Sequence, residues 1–235
     1  MIIADSKWDS TFFHKSILSV TLEAQDTIDQ WEQLLTQNSA DLIYLKYEDD
    51  LSIAQKNFLR LQKTDLSVTN VIYKKQPCKK DMQEEKAIKI ISSANDSLYS
   101  MVLDCGKFSR FYLDPNLRND YPRLYRQWLE NAFTKKNWHC ITFSEESEPE
   151  GFCVFSKSSD NAGHIELLMV KEQSRRKQIG QRLIQAAENA LLQMYAISDF
   201  FVATQENNIP ACHCYEKSNF TLHKKIHIHH LWRKK

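Results

Sequence analysis

Residues 164–191 read HIELLMVKEQSRRKQIGQRLIQAAENAL. Apolar residues run together up to Val170, as in a buried strand, and from Gln178 onward they recur at helical spacing. Between the two lies a short polar connection with Arg175, Arg176 and Lys177 in succession, and Gly180 falls in the first turn of the helix. The first N–H groups of a helix have no intrahelical partner and lie at the positive end of the macrodipole, so they bind phosphate. A glycine there has no Cβ and lets a ligand come close to the backbone. The junction therefore reads as a site for a di- or polyphosphate. The same residues also read as a solvated basic loop capping an ordinary helix.

Composition narrows the classes around this junction. The chain has 235 residues, 42% hydrophobic and 26% charged, with 31 Lys plus Arg against 30 Asp plus Glu. That balance suits a packed core and provides no field for nucleic acid or an anionic membrane. The apolar runs fall short of the ~20 residues of a membrane span. The opening MIIADSKWDS lacks the apolar centre of a signal peptide, so a cytoplasmic protein is expected. The six cysteines are scattered, which reads as reduced thiols. Only four glycines occur, too few for a P-loop or dinucleotide fingerprint. Cys212, His213, Cys214 and the tail histidines lack paired zinc-ligand spacing, and no metal is expected. His227 and His229 instead alternate as one face of a closing strand.

Outward from the junction, the pattern is mixed α/β. In the N-terminal part, FFHKSILSVTL (12–22) alternates like a strand toward its end, 27–37 and 52–61 read as helices, and LIYLKY (42–47) and 68–74 read as strands. The polar stretch 75–85 is the linker candidate, dividing a small α/β domain, 1–80, from a larger one, 81–235. The second part reads as a strand at 87–91, helices at 93–104 and 121–133, strands at 138–143, 152–156 and 165–170, a long helix at 178–195, a strand at 200–204, a short helix at 211–217 and closing strands over 220–231. The fold class is α/β (α+β): a mixed central sheet flanked by helices, with a smaller N-terminal domain.

Further along, ATQENNIPACHCYEKSNF places Asn208, Ala211, Tyr215, Asn219 and Phe220 in order. Alone, Tyr215 also reads as a core tyrosine. Together the two segments resemble the GNAT superfamily of acetyltransferases. Its members hold acetyl-CoA with an Arg/Gln-x-x-Gly-x-Gly/Ala loop and carry an Asn-x-x-Ala-x-x-x-Tyr-x-x-x-Gly-Phe signature. Here Arg175 and Gly180 match the first, with Gln178 in place of the middle glycine. Asn208, Ala211, Tyr215 and Phe220 match the second, with Asn219 in place of glycine. Asparagine is the side chain best able to take the left-handed conformation.

The segments WDSTFFHKSI, FSRFYLDP, YRQWLENAF and VATQENNIPACHCYEKSNF are also similar to bacterial dTDP-fucosamine acetyltransferases. Those are GNAT enzymes with an extra N-terminal α/β domain, acting on the amino group of a nucleotide-linked deoxysugar. The resemblance implies acetyl-CoA as co-substrate, a TDP-amino sugar as acceptor and a homodimer. It implies that the strand around Leu168, Met169 and Val170 pairs with pantetheine. The backbone from Arg175 and Arg176 through Lys177, Gln178 and Ile179 to Gly180 would cradle the pyrophosphate, beside Asn208 and Ala211. Tyr215 matches the acid that protonates the leaving thiolate. For a base the sequence offers Glu166 and His164, which strand alternation puts on one face, or a surface-facing pair with water relaying the proton. Ser109, Arg110, Phe111 and Asn131 lie in the segments similar to the sugar family; Arg110 reads equally as a bidentate phosphate clamp or a loop arginine in an ion pair. Two alternatives stay open: a GNAT enzyme for a protein N-terminus, polyamine or other small amine, and a catalytically silent acyl-CoA-binding module, which the replaced glycines Gln178 and Asn219 would suit.

Overall fold

The computed structural model describes residues 1–79 and 86–233. The linker assigned to 75–85 falls partly on 80–85, which lie outside the described residues. The elements run β1 (Ile2–Asp5), α1 (Lys7–Phe13), β2 (Ile17–Thr21), α2 (Ile28–Gln37), β3 (Leu42–Tyr47), α3 (Ile53–Leu61), β4 (Leu66–Lys75) and β5 (Ile88–Ile91). They continue with α4 (Asp96–Cys105), α5 (Arg110–Leu113), α6 (Tyr121–Thr134), β6 (Trp138–Phe143), β7 (Gly151–Lys157), β8 (Ala162–Val170), α7 (Ile179–Met194), β9 (Asp199–Gln205), α8 (Ile209–Lys217) and β10 (Thr221–Trp232). The ten strands of the described residues form one sheet in the order β1-β2-β3-β10-β4-β9-β8-β7-β6-β5. The pairs β2–β3 and β8–β9 are parallel and the others antiparallel. β4, which precedes residue 80, lies between β9 and β10, so the N-terminal part shares its sheet with the rest of the chain.

Alternation along the strands separates two faces. Leu42 and Tyr44 of β3 join Val154, Leu167 and the buried residues of α4, α5 and α6 in one core. Ile43 and Leu45 turn the other way, to pack with Trp31 and Leu59 of α2 and α3. Further along that second face, Val71, Phe155 and Phe200 pack under α7 and α8. The strands β6, β7 and β8 are thus covered on both sides, which is why they read as near-continuous apolar runs. α2 and α3 both start with capping boxes, Thr27 with Gln30 and Ser52 with Gln55, each satisfying two backbone donors. No helix of the described residues is long and apolar enough to cross a membrane.

At the N-terminus the strand expected toward the end of 12–22 is β2, and a helix not read from the sequence precedes it. A seven-residue helix, α1, ends at His14, whose left-handed φ of 52° breaks the chain before β2 begins. So short a helix has little stability of its own; it is held because Phe13 is buried against Phe111, ring centroids 5.8 Å apart. At the other terminus the closing segment is one twelve-residue strand, β10, with a register shift between Leu222 and Lys224. His227 and His229 share one face of it, and both rings stack on Tyr47.

Candidate active site

The cleft begins with an irregularity in β8. β8 and β9 pair only from Ala162↔Asp199 to Ile165↔Val202 and then diverge. Against β7, Phe155 faces Ile165 whereas Val154 faces Leu167, leaving Glu166 as an extra residue. A bulge of this kind shifts the alternation of everything after it. Ile165 packs under α7, Leu167 and Met169 pack on the opposite face, and Leu168 and Val170 return to the α7 side. The two strands splay open at their C-terminal ends, and the gap is a cleft of about 1220 Å³ lined on one wall by Leu168, Met169 and Val170.

The second wall is the start of α7. Arg176 and Gln178 both have left-handed backbones, with φ of 64° and 61°. Successive N–H groups in such a chain converge on a concavity suited to an anion. Among the described residues, none of the N–H groups of 176–181 has an acceptor within the protein. These orphan donors, with exposed Arg175 and Arg176 at the rim, fit a pyrophosphate. Gln178 occupies a conformation usually left to glycine, at a cost of about 1–2 kcal/mol. Lys177 is exposed and does not line the cleft. Gly180 lines it, but the room expected for a ligand is used otherwise: a Cβ there would meet Cys214 Sγ at 3.0 Å, so the missing side chain lets α8 close on α7.

α8 forms the third wall. Asn208 opens it, its carbonyl accepting from the N–H groups of Ala211 and Cys212 at 3.0 and 3.1 Å. Asn208, Ala211 and Tyr215 all line the cleft. Beyond the helix, Asn219 is left-handed, φ 64°, and Phe220 N–H returns to Tyr215 O at 3.1 Å. The asparagine thus does the work of the glycine it replaces. Tyr215 is 5% exposed. Burial, and after it the nearby Cys105 and Cys214 thiols, raise its phenol well above the usual range, so it carries its proton at neutral pH. Cys105, across the cleft at the end of α4, donates to Leu168 O at 3.5 Å and is itself pushed up to about 12 by burial.

Glu166 does not line the cleft; it is exposed at the bulge and accepts from Ser156 Oγ at 2.6 Å. His164 lies flat on Phe201, with its Nε2 3.3 Å from Ser158 Oγ. Because Ser156 follows Val154 on the α4–α6 side, the hydrogen-bonded Glu166 carboxylate is held toward that side of the sheet. None of Ser109, Arg110, Phe111 and Asn131 lines the cleft. Ser109 Oγ caps α5 by accepting from Tyr112 N at 3.3 Å, and Phe111 and Asn131 are buried. Arg110 is held between Tyr44, Phe111 and His230. Residues not singled out by motif also enter: Asp104, Cys105 and Phe108 from the end of α4, and His213 and Lys217 from α8. The last two were within reach of the sequence, since they sit on the signature helix; the first three arrive only through tertiary packing.

The model of the acetyltransferase (GNAT) family matches residues 103–220, half of the chain, and the protein belongs to that family. It is therefore an acetyltransferase of a family whose co-substrate is acetyl-CoA. No curated protein sequence matches the chain. Among solved structures, a functionally unknown conserved protein from Staphylococcus epidermidis is similar at TM-score 0.67 and 12% identity, over 93% of this chain and 85% of that one. A GCN5-related N-acetyltransferase from Sphaerobacter thermophilus is similar at TM-score 0.59 and 11% identity, over 92% and 73%. One from Kribbella flavida is similar at TM-score 0.56 and 8% identity, over 91% and 80%. At such identities these likenesses speak for the fold.

Proposed function

We propose that the protein transfers the acetyl group of acetyl-CoA to the amino group of a nucleotide-linked deoxyamino sugar, by direct attack of the amine on the thioester. The observation that carries the acetyl-CoA half is the run of unsatisfied N–H groups at 176–181 beside the splayed edge of β8. On this reading Leu168, Met169 and Val170 pair with pantetheine, and 176–181 with Arg175 and Arg176 hold the pyrophosphate. Acetyl-CoA supplies the activated acyl group. Tyr215 donates its proton to the departing thiolate; a buried, neutral phenol lining the cleft is suited to that, and general acids are worth about 10²–10⁴-fold. Glu166, exposed at the bulge two residues before Leu168, takes the proton of the sugar's ammonium through water.

The sugar half rests on the similarity of the N-terminal and central segments to sugar-nucleotide acetyltransferases. Residues 1–80 serve on this reading as the part that shapes the acceptor site, and the enzyme acts in the cytoplasm as a homodimer. A second reading draws on Asp104 and Glu172, two acidic residues lining the cleft, which suit a polyamine or other cationic small amine. A thiol-release assay with acetyl-CoA against TDP-amino sugars, a polyamine and a peptide N-terminus separates them. Release with one TDP-amino sugar alone upholds the first; release with polyamine or peptide only upholds the second. Tight CoA binding without release from any amine leaves a silent acyl-CoA-binding module.

A further inference from the structure

A second polar site lies on the sheet face that carries α1, α4, α5 and α6. Tyr44 and Lys46 stand two residues apart on β3 and so share that face. The Arg110 guanidinium lies over the Tyr44 ring at 4.0 Å and the Phe111 ring at 4.2 Å. It is braced from behind by two fully buried groups. Asp114 accepts from His230 Nδ1 at 2.5 Å and from Trp232 Nε1 at 2.9 Å. Burial raises the Asp114 carboxyl, but those hydrogen bonds outweigh it and hold it ionised. Burial lowers His230, which stays neutral and leaves its Nε2 to accept from Arg110 at 3.1 Å. Arg110 is thereby fixed in orientation by a chain of three residues.

Its front is unfinished. Asp9 of α1 approaches Arg110 only to 3.7 Å, beyond hydrogen-bond distance. The Tyr44 hydroxyl is buried, under the ring-stacked Arg110, and has no hydrogen-bond partner of good geometry among the described residues. Lys46 is half-buried and, among the described residues, has no carboxylate partner. Burial first, and then the neighbouring Arg110, lower its ammonium. Two cations and a hydroxyl therefore converge where, among the described residues, one carboxylate, held off, offers an acceptor. An unmet buried hydroxyl is costly, and with a half-buried lysine and a loosely paired guanidinium beside it the cluster is short of an anion.

The place is also correctly located. Phe108 lines the acetyl-transfer cleft, and Arg110 follows two residues later, at most about 7 Å of chain away. β3 lies three strand spacings from β9, about 14 Å across the sheet, with β10 and β4 between. An acceptor with its amine in the cleft and a phosphate some distance behind it spans that interval.

We propose that Lys46, Arg110 and the Tyr44 hydroxyl form an anion site that grips a phosphate group of the acceptor, with Asp114 and His230 positioning Arg110. This rests on the reading of the acceptor as nucleotide-linked. The test is isothermal titration of thymidine diphosphate and of inorganic pyrophosphate into the full-length protein saturated with CoA, which occupies the other anion site. Lys46→Gln removes a half-exposed charge, and Tyr44→Phe removes a hydroxyl that bonds to nothing, so both keep the wild-type melting temperature and CoA affinity. The expected result is binding of both ligands by the wild type, weakened at least tenfold by Lys46→Gln and several-fold by Tyr44→Phe. Absence of binding to the wild type, or binding that neither substitution changes, overturns the site. Binding that depends on Lys46, together with no acetyl transfer to any TDP-amino sugar, upholds the anion site and overturns the acceptor reading instead. Protein that binds no CoA is titrated without it, and the same comparison of variants applies.

Discussion

The sulfur of Cys214 sits 3.0 Å from where a Cβ on Gly180 would lie, which makes the first turn of α7 and the middle of α8 a single packed joint. Tyr215 is the next residue along α8, so the joint sets where the phenol stands in the cleft. Gly180→Ala gains about 0.5–1 kcal/mol of helix propensity but forces the sulfur aside, and overpacking costs about 1–3 kcal/mol. The expected outcome is a stability change within about 2 kcal/mol and a clear loss of turnover. Adding Cys214→Ala makes room and restores most of the activity; a double-mutant cycle in urea denaturation and in kcat should show the two positions coupled. Additive effects would detach Gly180 from Cys214.

Gln178 carries a left-handed backbone with no side-chain cap on α7. Replacing it with glycine relieves about 1–2 kcal/mol of strain and gives back about 0.4–1 kcal/mol through the more flexible unfolded chain. Gln178→Gly is therefore expected to stabilise the protein by up to about 1 kcal/mol, and the β-branched Gln178→Val to destabilise it by a similar amount or more. Urea midpoints read both. A glycine variant less stable than the wild type would mean that the Gln178 side chain holds the loop in a way its hydrogen bonds do not record.

Tyr215→Phe removes the proton donor and leaves the ring, which packs near Tyr73 and Phe220 with centroids 6.0 and 6.2 Å away. We expect kcat to fall about 10²-fold or more with little change in the Kd of acetyl-CoA. Because the folded phenol is raised well above its ordinary value, the wild-type rate should show no loss from its ionisation as pH rises through 10, where a free tyrosine titrates. Unchanged turnover in the variant would pass the acid's role to water or another group.

The buried thiols contribute to the loss of stability at alkaline pH. Cys140 is fully buried, and desolvation pushes it up to about 12 from an ordinary 9.0. In the unfolded chain this thiol ionises from pH 9 upward, while the folded protein keeps its proton to about 12. Across that window the folded state binds the extra proton, so stability, full below pH 9, is lost as pH rises. One such group contributes a slope of about 1.4 kcal/mol per pH unit. Denaturant midpoints between pH 8 and 11 should therefore fall in the wild type, and fall less steeply in Cys140→Ala, which is less stable at neutral pH because of the cavity.

Much of this architecture is legible along the chain. The helical spacing over 27–37, 52–61 and 121–133 and the apolar runs of β6, β7 and β8 all act over a few residues, so the local pattern reports them. The same holds for the two GNAT signatures, since orphan N–H groups at a helix start and a left-handed Asn219 are properties of consecutive residues. α1 was hidden because seven residues with one buried side chain give too weak a period, and its end at His14 depends on a left-handed turn that His does not advertise.

The tertiary structure decided what requires distant segments to meet. The bulge at Glu166 is a mismatch in length between two strands, β7 and β8, and neither strand alone contains it. The placing of β4 between β9 and β10 is a pairing choice between residues more than a hundred apart. Gly180 serves helix packing because Cys214, far along the chain, fills the space beside it. Arg110 is drawn from the cleft by Tyr44, His230 and Asp114, since a guanidinium gains more from two ring faces and a fixed acceptor than from a loop in water. Local chemistry determined which groups the protein has to work with; the burial of side chains from remote strands determined which of them face one another.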